Sequence, residues 1–407
     1  MSTKVSQNVS HSAKTQDSGS GKRSREGDEG PLKFEKGQII GKHWTFESKV
    51  NEGGFGAIYE VKHVKKSGRF AMKLSLTAKK DMDKLMIIEV SVLRKLSGQS
   101  IYFPKYEDTG HVKGYRFVVM ELLGPSLSDL QDSMPGEKFS LSTIVRVGIQ
   151  MLNAIEAMHG MYFIHRDIKP GNVAIGVKNK TQVYLFDFGL ARRFVELDEK
   201  AGKIRVRPPR TNAPFRGTYH YCSVQQHDYQ DSCRRDDLWA MMYTLIEFRT
   251  RILPWEHEKE KKSIAECKRK TPFPVLLQGC PVLFEHILRY LDRLKYHHRP
   301  CYDFIRKAFK KILTVRRMDP HDPYDWEINQ KPKPRRDKHR VSLKAVFDGA
   351  YTTTNATKMS IGSESSSEAS LAETKDEEIE GDLIPSHKKE DEDPSKEYTE
   401  PDPRHKK

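Results

Sequence analysis

The 407-residue sequence predicts an α+β fold with a small β-rich part, a larger helical part and polar tails at both ends. A short run of β-branched and aromatic residues, Phe117–Met120, stops at Gly124-Pro125 and predicts a strand followed by a turn. Later in the chain, apolar residues recur at the three-to-four spacing of helices. The two stripes are Ile144, Val147, Met151, Ile155 and Met158, then Leu238, Met241, Met242, Leu245 and Phe248. Hydrophobic residues make up only 36% of the chain, which polar tails explain.

The first candidate functional element is the glycine-rich segment Val50–Ile58. Glycine lets a backbone approach phosphate groups closely and adopt conformations that other residues avoid. Asn51 stands where such hairpins usually carry the first of three glycines, and Asn tolerates positive φ better than most residues. We therefore expect the turn to form with less freedom. The candidate phosphate and base contacts are Val50, Gly53, Gly54, Gly56 and Ile58.

The next candidate residues are a lysine and a glutamate. Lys73 ends the strand-like run Phe70–Lys73, and Glu89 lies sixteen residues later in the helix-like run Met86–Leu93. Taken alone, Glu89 would suit a solvated helix face.

The most informative feature is the loop His165–Asn172, followed by the turn Asp187-Phe188-Gly189. Strand-like segments precede both motifs. Asp167 can accept the proton of a substrate hydroxyl, and Lys169 can offset charge on a γ-phosphate. Asn172 and Asp187 supply oxygen atoms, the ligands that Mg²⁺ prefers.

In this order the motifs resemble those of protein kinases. The resemblance implies a bilobal domain at residues 36–330, with an N-lobe at about 44–121 and a C-lobe at about 124–330. It implies ATP as cosubstrate and Mg²⁺ as cofactor. Lys73 would hold the α- and β-phosphates and form an ion pair with Glu89. Glu121 and Leu123 would offer backbone groups to adenine after the gatekeeper Met120. Asp237 would anchor the backbone of the catalytic loop.

More narrowly, the chain is similar to the casein kinase I superfamily. The residues that carry this resemblance are Met120–Leu127, Arg234–Trp239 and Ser223-Val224-Gln225 in place of an Ala-Pro-Glu motif. Within that superfamily it most resembles the tau-tubulin kinase group. Those carrying residues are Arg207–Arg210, Phe215–Thr218, Leu253–Trp255 and Tyr324–Glu327. The resemblance spans about residues 44–327 and implies a Ser/Thr kinase that acts on protein substrates.

Substrate recognition has two open interpretations. Lys169-Pro170-Gly171 is typical of Ser/Thr kinases, and Thr218 would bridge Asp167 and Lys169. The segment between Gly189 and Gly217 is rich in basic residues, among them Arg210 and Arg216. Arginine binds phosphate or carboxylate groups in a bidentate way, so the segment could recognise acidic or phosphorylated substrates. A solvated loop is the other interpretation.

Charge leaves other classes of function open. Residues 31–330 carry 51 basic and 35 acidic side chains, a net charge of +16, which attracts acidic partners or nucleic acid. No nucleic-acid recognition motif accompanies this charge, so we expect no specific nucleic-acid partner. A pseudokinase scaffold, or a cytoskeletal or nucleic-acid binding protein, remains an alternative. We expect a monomer, although nothing in the sequence decides the oligomeric state.

The remaining features concern location. Five cysteines show no paired metal-ligand spacing, and no run of about 18 apolar residues predicts a membrane span. We expect a reducing compartment, the cytoplasm, with the nucleus as an alternative. Residues 1–35 and 331–407 are polar and predicted to be disordered. Within the second tail, Lys331–Arg340 resembles a nuclear localisation run, although a solvated linker is the simpler interpretation.

Overall fold

The structure, a computed structural model, describes residues 32, 34–53, 56–200 and 202–328. A sheet-based lobe comes first and a mainly helical lobe follows, which confirms the predicted α+β, two-lobed fold. Of the predicted tails, residues 1–35 and 331–407, the structure describes only residues 32, 34 and 35. The rest, with the run Lys331–Arg340, lies outside the described residues.

The small lobe is one antiparallel sheet with strand order β1-β2-β3-β4-β6-β5. Its strands are β1 (Ile39–Ile40), β2 (Trp44–Gly53), β3 (Gly56–His63), β4 (Phe70–Leu76), β5 (Tyr106–Val112) and β6 (Tyr115–Glu121). Helix α1 (Lys80–Leu96) connects β4 to β5 and packs against the sheet.

The continuous apolar run in β6 is buried on both faces of the sheet. Phe117 and Val119 belong to the small-lobe core, whereas Val118 and Met120 belong to the core that α1 shares with the large lobe. Because successive side chains of a strand point to opposite faces, both faces need apolar residues here.

The folded part of the small lobe begins earlier than the predicted N-lobe limit at residue 44. Phe34 packs edge-on against Tyr59 at 5.4 Å, and the Tyr59 hydroxyl donates to the Leu32 carbonyl at 2.8 Å. Two isolated apolar residues in a polar stretch carry no periodicity, which is why the sequence pattern missed them.

The chain leaves the small sheet at Glu121 and enters a second sheet at once. There, β7 (Leu123–Ser126) pairs with β9 (Val173–Gly176), which pairs with β10 (Val183–Leu185). The remaining strands form two short antiparallel pairs. These are β8 (Phe163–Ile164) with β11 (Arg192–Arg193), and β12 (Val195–Asp198) with β13 (Lys203–Val206).

Helices form the rest of the large lobe. They are α2 (Leu127–Ser133), α3 (Leu141–Gly160), α4 (Val224–His227), α5 (Arg234–Thr250), α6 (Lys261–Lys270), α7 (Phe273–Leu276), α8 (Val282–Arg293), α9 (Tyr302–Val315) and α10 (Asp325–Ile328). The predicted stripe of α3 is buried. Helix α5 differs from the expected amphipathic helix, because nearly all its residues are buried, as is typical of a helix at the centre of a lobe. In the described part of the chain, no helix combines the length and apolarity needed to cross a membrane.

We predict that Phe309→Ala in α9 lowers the free energy of unfolding by about 3–5 kcal/mol, because truncating a buried aromatic ring leaves a cavity. Phe309 is fully buried and packs edge-on against Phe284 at 5.9 Å. Val315→Ala, at the exposed end of the same helix, should cost within about 0.5 kcal/mol. Denaturant unfolding measures both variants, and equal losses would contradict this description of the core.

Candidate active site

One buried carboxylate holds the predicted catalytic loop, His165–Asn172. Asp237, in the first turn of α5, accepts hydrogen bonds from the backbone N–H groups of His165 and Arg166, each at 2.8 Å. His159 lies 2.9 Å from the same carboxylate. Burial opposes the charge of Asp237, but these donors keep its pKa below the usual range. The backbone of Arg166 has a φ of 71°, a costly conformation that the hydrogen bond to Asp237 maintains.

Three side chains fix the carboxylate of Asp167. Thr218 Oγ1–H donates to Oδ1 at 2.7 Å, and Lys169 Nζ donates to Oδ2 at 2.8 Å and to Thr218 Oγ1 at 3.0 Å. Asn172 Nδ2 donates to Oδ2 at 3.0 Å and to the Asp167 carbonyl at 2.8 Å. Thr218 therefore stands between Asp167 and Lys169, as expected from the sequence.

Gly217 makes this close approach possible. Its φ is +107°, and a Cβ atom built there would lie 2.3 Å from the Arg166 carbonyl oxygen. A side chain at this position would push the segment away from the catalytic loop. Glycine at residue 217 is thus what brings Thr218 within hydrogen-bond distance of Asp167.

An ion-pair chain joins the two lobes. Lys73 Nζ, in β4, lies 2.7 Å from Glu89 Oε2 in α1 and 2.9 Å from Asp187 Oδ1. Burial disfavours the charge on Lys73, but Asp187 and Glu89 together raise its pKa above the ordinary value. Burial also acts against ionised Asp187, yet the Lys73 ammonium lowers its pKa. Burial raises the pKa of Glu89, although Lys73 opposes that shift.

Asn172 and Asp187 fit a divalent cation. The Phe186 N–H donates to the Asn172 carbonyl at 3.1 Å, which brings the two segments side by side. The Asn172 amide nitrogen is occupied by Asp167, so its amide oxygen is the atom that can serve a cation. Asp187 has a φ of 65°, a strained backbone conformation. No cluster of three or more His, Cys, Asp or Glu side chains that could hold a metal ion occurs in the described ranges.

The glycine-rich hairpin is formed by β2 and β3. Val50 lies at an irregularity in the β2–β3 pairing, and Asn51 pairs with Ile58. Asn51 does not adopt a positive φ. Its tolerance of that conformation, expected from the sequence, is therefore not needed here, because the residue lies in a strand. Gly53 pairs with Gly56 at the hairpin end, and Gly54 lies outside the described residues.

The predicted adenine contacts lie where the chain passes between lobes. The Glu121 N–H donates to the Lys105 carbonyl at 2.9 Å, and Leu123 pairs with Gly176. An open pocket next to α1 is lined by residues of both lobes. Its lining residues include Lys73, Glu89, Asp167 and Asp187, but not Glu121 or Leu123.

The structure separates the two predicted substrate-recognition arginines. Arg210 donates from Nε and Nη2 to the carboxylate of Asp231, at 3.0 and 2.8 Å. Arg216 is exposed and has no ion-pair partner in the described ranges. Sequence reasoning missed Asp231, because an acidic residue in a loop shows no signal of which cations it will meet in the fold.

Comparisons with known proteins agree with this geometry. Residues 44–317 match the family described as protein kinase domain. A probable serine/threonine-protein kinase of Dictyostelium discoideum is 37% identical over 298 residues, which are 72% of this chain and 58% of that protein. The chain thus spans little more than half the length of this relative.

Two Caenorhabditis elegans proteins with serine/threonine-protein kinase names are also similar. One is 35% identical over 312 residues, 76% of this chain and 88% of its own length. The other, the serine/threonine-protein kinase spe-6, is 32% identical over 315 residues, 75% of this chain and 79% of its own length.

We predict that Gly56→Ala weakens ATP binding strongly and that Asn51→Gly does not. Gly56 has a φ of +126°, and a Cβ there would lie 1.9 Å from the Leu74 carbonyl oxygen, so the hairpin must distort. Asn51→Gly removes a side chain from a strand position that has no positive φ and should leave ATP affinity equal or better. Calorimetric ATP titration measures both. A clear loss of affinity in Asn51→Gly would show that the Asn side chain holds the loop or the ligand.

Proposed function

The chain belongs to the protein kinase family and carries an ATP-dependent serine/threonine kinase domain, and we propose that Asp167 is its catalytic base. The γ-phosphate of ATP would pass to a Ser or Thr hydroxyl of a protein substrate. The observation that carries the proposal is the hydrogen-bonded group of Asp167, Lys169, Asn172 and Thr218.

In this mechanism the Asp167 carboxylate orients the attacking hydroxyl and accepts its proton. Lys169 and Thr218 already hold both carboxylate oxygens, so orientation costs little when the substrate binds. The Lys169 ammonium lies 2.8 Å from the carboxylate and can offset negative charge on the transferred phosphoryl group.

We assign ATP phosphate binding to Lys73 and cation binding to Asn172 and Asp187. Glu89 keeps Lys73 extended between the lobes, and their 2.7 Å contact supports a competent arrangement. A divalent cation, for which we propose Mg²⁺, supplies charge neutralisation when bound. Removing one partner of such a buried ion pair costs about 3–5 kcal/mol of stability. We therefore expect substitution of Glu89 to destabilise the protein as much as substitution of Lys73.

For the rest of ATP we propose contacts from the glycine-rich hairpin and the interlobe segment. Val50, Ile58 and the hairpin glycines, Gly53, Gly54 and Gly56, would cover the phosphates and base. The Glu121 carbonyl and the Leu123 N–H would bind adenine. The Glu121 N–H already donates to the Lys105 carbonyl, which supports assigning the Glu121 carbonyl, and not its N–H, to adenine.

We predict that Asp167→Asn lowers kcat by about 10²–10⁴-fold, because Asn cannot accept the proton. The fold and ATP affinity should persist, since Asn keeps the shape of the side chain. Asp81→Asn is the matched control, because its side chain is 98% exposed at the start of α1. Turnover of a generic protein substrate and thermal unfolding measure the outcome. An Asp167→Asn variant that keeps most of its turnover would remove the proposed base.

We also propose that the kinase belongs to the casein kinase I superfamily, close to the tau-tubulin kinases, and prefers acidic or phosphorylated protein substrates. The exposed Arg216, two residues from Thr218, supports this preference. Arg210 can contribute through the part of its side chain, 40%, that stays exposed beside Asp231. Cytoskeletal proteins are one class of substrate that this assignment suggests.

We predict that Arg216→Ala raises KM for acidic peptides by about two- to fivefold, the range for an exposed charge contact. KM for neutral peptides should stay unchanged, and the difference should shrink as salt screens the charges. Arg293→Ala, which removes the same charge from an exposed position on α8, is the control. Equal changes on acidic and neutral peptides would mean that Arg216 orders its loop instead of contacting the substrate.

For location we propose the cytoplasm, with the nucleus as an alternative. The support is that the five cysteines are free thiols. We propose a monomer without a specific nucleic-acid partner.

A further inference from the structure

Two arginines pair with one carboxylate beside the active site, and a third lies near them. Asp231, whose side chain is 1% exposed, receives Arg192 Nη1 on both oxygens at 2.8 Å. Arg210 adds its Nε, its Nη2 and its backbone N–H at 3.0, 2.8 and 3.1 Å. Arg166 donates from Nε to the Leu190 carbonyl at 2.6 Å, and its charge interacts with those of Asp231, Arg192 and Arg210. We call these four residues the arginine cluster.

The cluster joins parts of the chain that must act together. Arg166 precedes the proposed base Asp167, and Arg192 in β11 follows the metal-binding turn. Arg210 lies in the stretch that leads to Gly217 and Thr218. Asp231 therefore ties together both halves of the segment between Asp187 and Thr218, here called the activation segment. The hydrogen bond from Arg166 Nε to the Leu190 carbonyl joins the first half to the catalytic loop. A backbone bond from Ala213 N–H to the Tyr229 carbonyl, at 3.0 Å, follows the same path.

Asp231 also solves an electrostatic problem. Burial first, and then the charges of Arg192 and Arg210, lower the pKa of Arg166 to about 10. Without Asp231, three guanidinium groups would repel one another in a partly buried place, and loss of one member of such a group is strongly destabilising. A phosphoryl group on the activation segment would supply the same negative charge and the same bidentate acceptors. Asp231 already supplies both.

We propose that Asp231 is a positioning residue that does the work of a segment phosphate, so that the activation segment is ordered without being phosphorylated. This proposal rests on the proposed kinase activity. If Asp231 has this role, activity does not require phosphorylation of Thr211, the exposed residue next to Arg210.

The test compares Asp231→Ala, Asp231→Glu and the control Asp228→Asn in phosphatase-treated protein whose mass shows no phosphate. Asp228 lies in the same loop in an exposed pair with Arg269, so its substitution should leave kcat unchanged. Asp231→Ala should lower kcat by about tenfold or more, since a carboxylate shared by two arginines is lost. Asp231→Glu should recover part of the loss. Phosphate-free wild type should keep full turnover.

Chemical rescue separates this role from a general contribution to folding. Sodium sulfate offers a free anion to the three arginines, so it should raise the turnover of Asp231→Ala. It should leave wild type unchanged and exceed sodium chloride of equal ionic strength. A folded Asp231→Ala variant with wild-type kcat would overturn the proposal. So would an activity loss that neither Glu nor sulfate restores, or a wild type that loses turnover on phosphatase treatment.

Trypsin cleavage within residues 203–210, followed by mass spectrometry, gives a readout that needs no catalysis. Asp231→Ala should be cut faster than wild type, and sulfate should slow the cutting. If wild type lacked kinase activity while this pattern held, the proposed function would fail and the ordering role of Asp231 would stand. Equal cleavage of Asp231→Ala and wild type would overturn that role whatever the activity.

Discussion

The carboxylate of Asp237 is the constraint on which the active site depends. It lies in the first turn of α5, a helix buried on almost all sides, and accepts the backbone N–H groups of His165 and Arg166. The position of the catalytic loop is therefore fixed relative to the core of the large lobe. Since folding lowers the pKa of Asp237, its contribution to stability is complete at neutral pH and is lost only as the pH falls below the usual range for carboxylates.

The other parts of the site are arranged around this fixed loop. The activation segment reaches it at Gly217 and Thr218, and the small lobe reaches it through Lys73 and Asp187. Each approach uses a charge-assisted hydrogen bond or a glycine at the point where it meets the loop. Such contacts are directional, so they set atom positions closely, while the apolar core that α1 shares with the large lobe holds the two lobes together.

Much of this site could be predicted from the sequence, because its chemistry lies in short motifs. The contacts of Lys73 with Glu89 and of Thr218 with Asp167 could be predicted because the motifs, in their order, resemble those of protein kinases. Both contacts join residues that are distant in the sequence. Asp231 could not be found in this way, since its partners meet only after the chain has folded. The sequence also suggested that Asn51 is tolerated because Asn can adopt a positive φ. Asn51 lies in a strand without a positive φ, so that propensity plays no part at this position.

The most direct test of the central claim is amide hydrogen exchange at His165 and Arg166 in the absence of nucleotide. If Asp237 fixes the catalytic loop to the core, both amides should exchange as slowly as the amides in the middle of α5, because opening them requires large-scale unfolding. Exchange at the rate of the exposed hairpin β12–β13 would contradict the account. It would mean that the loop is held by contacts that form only when substrates bind.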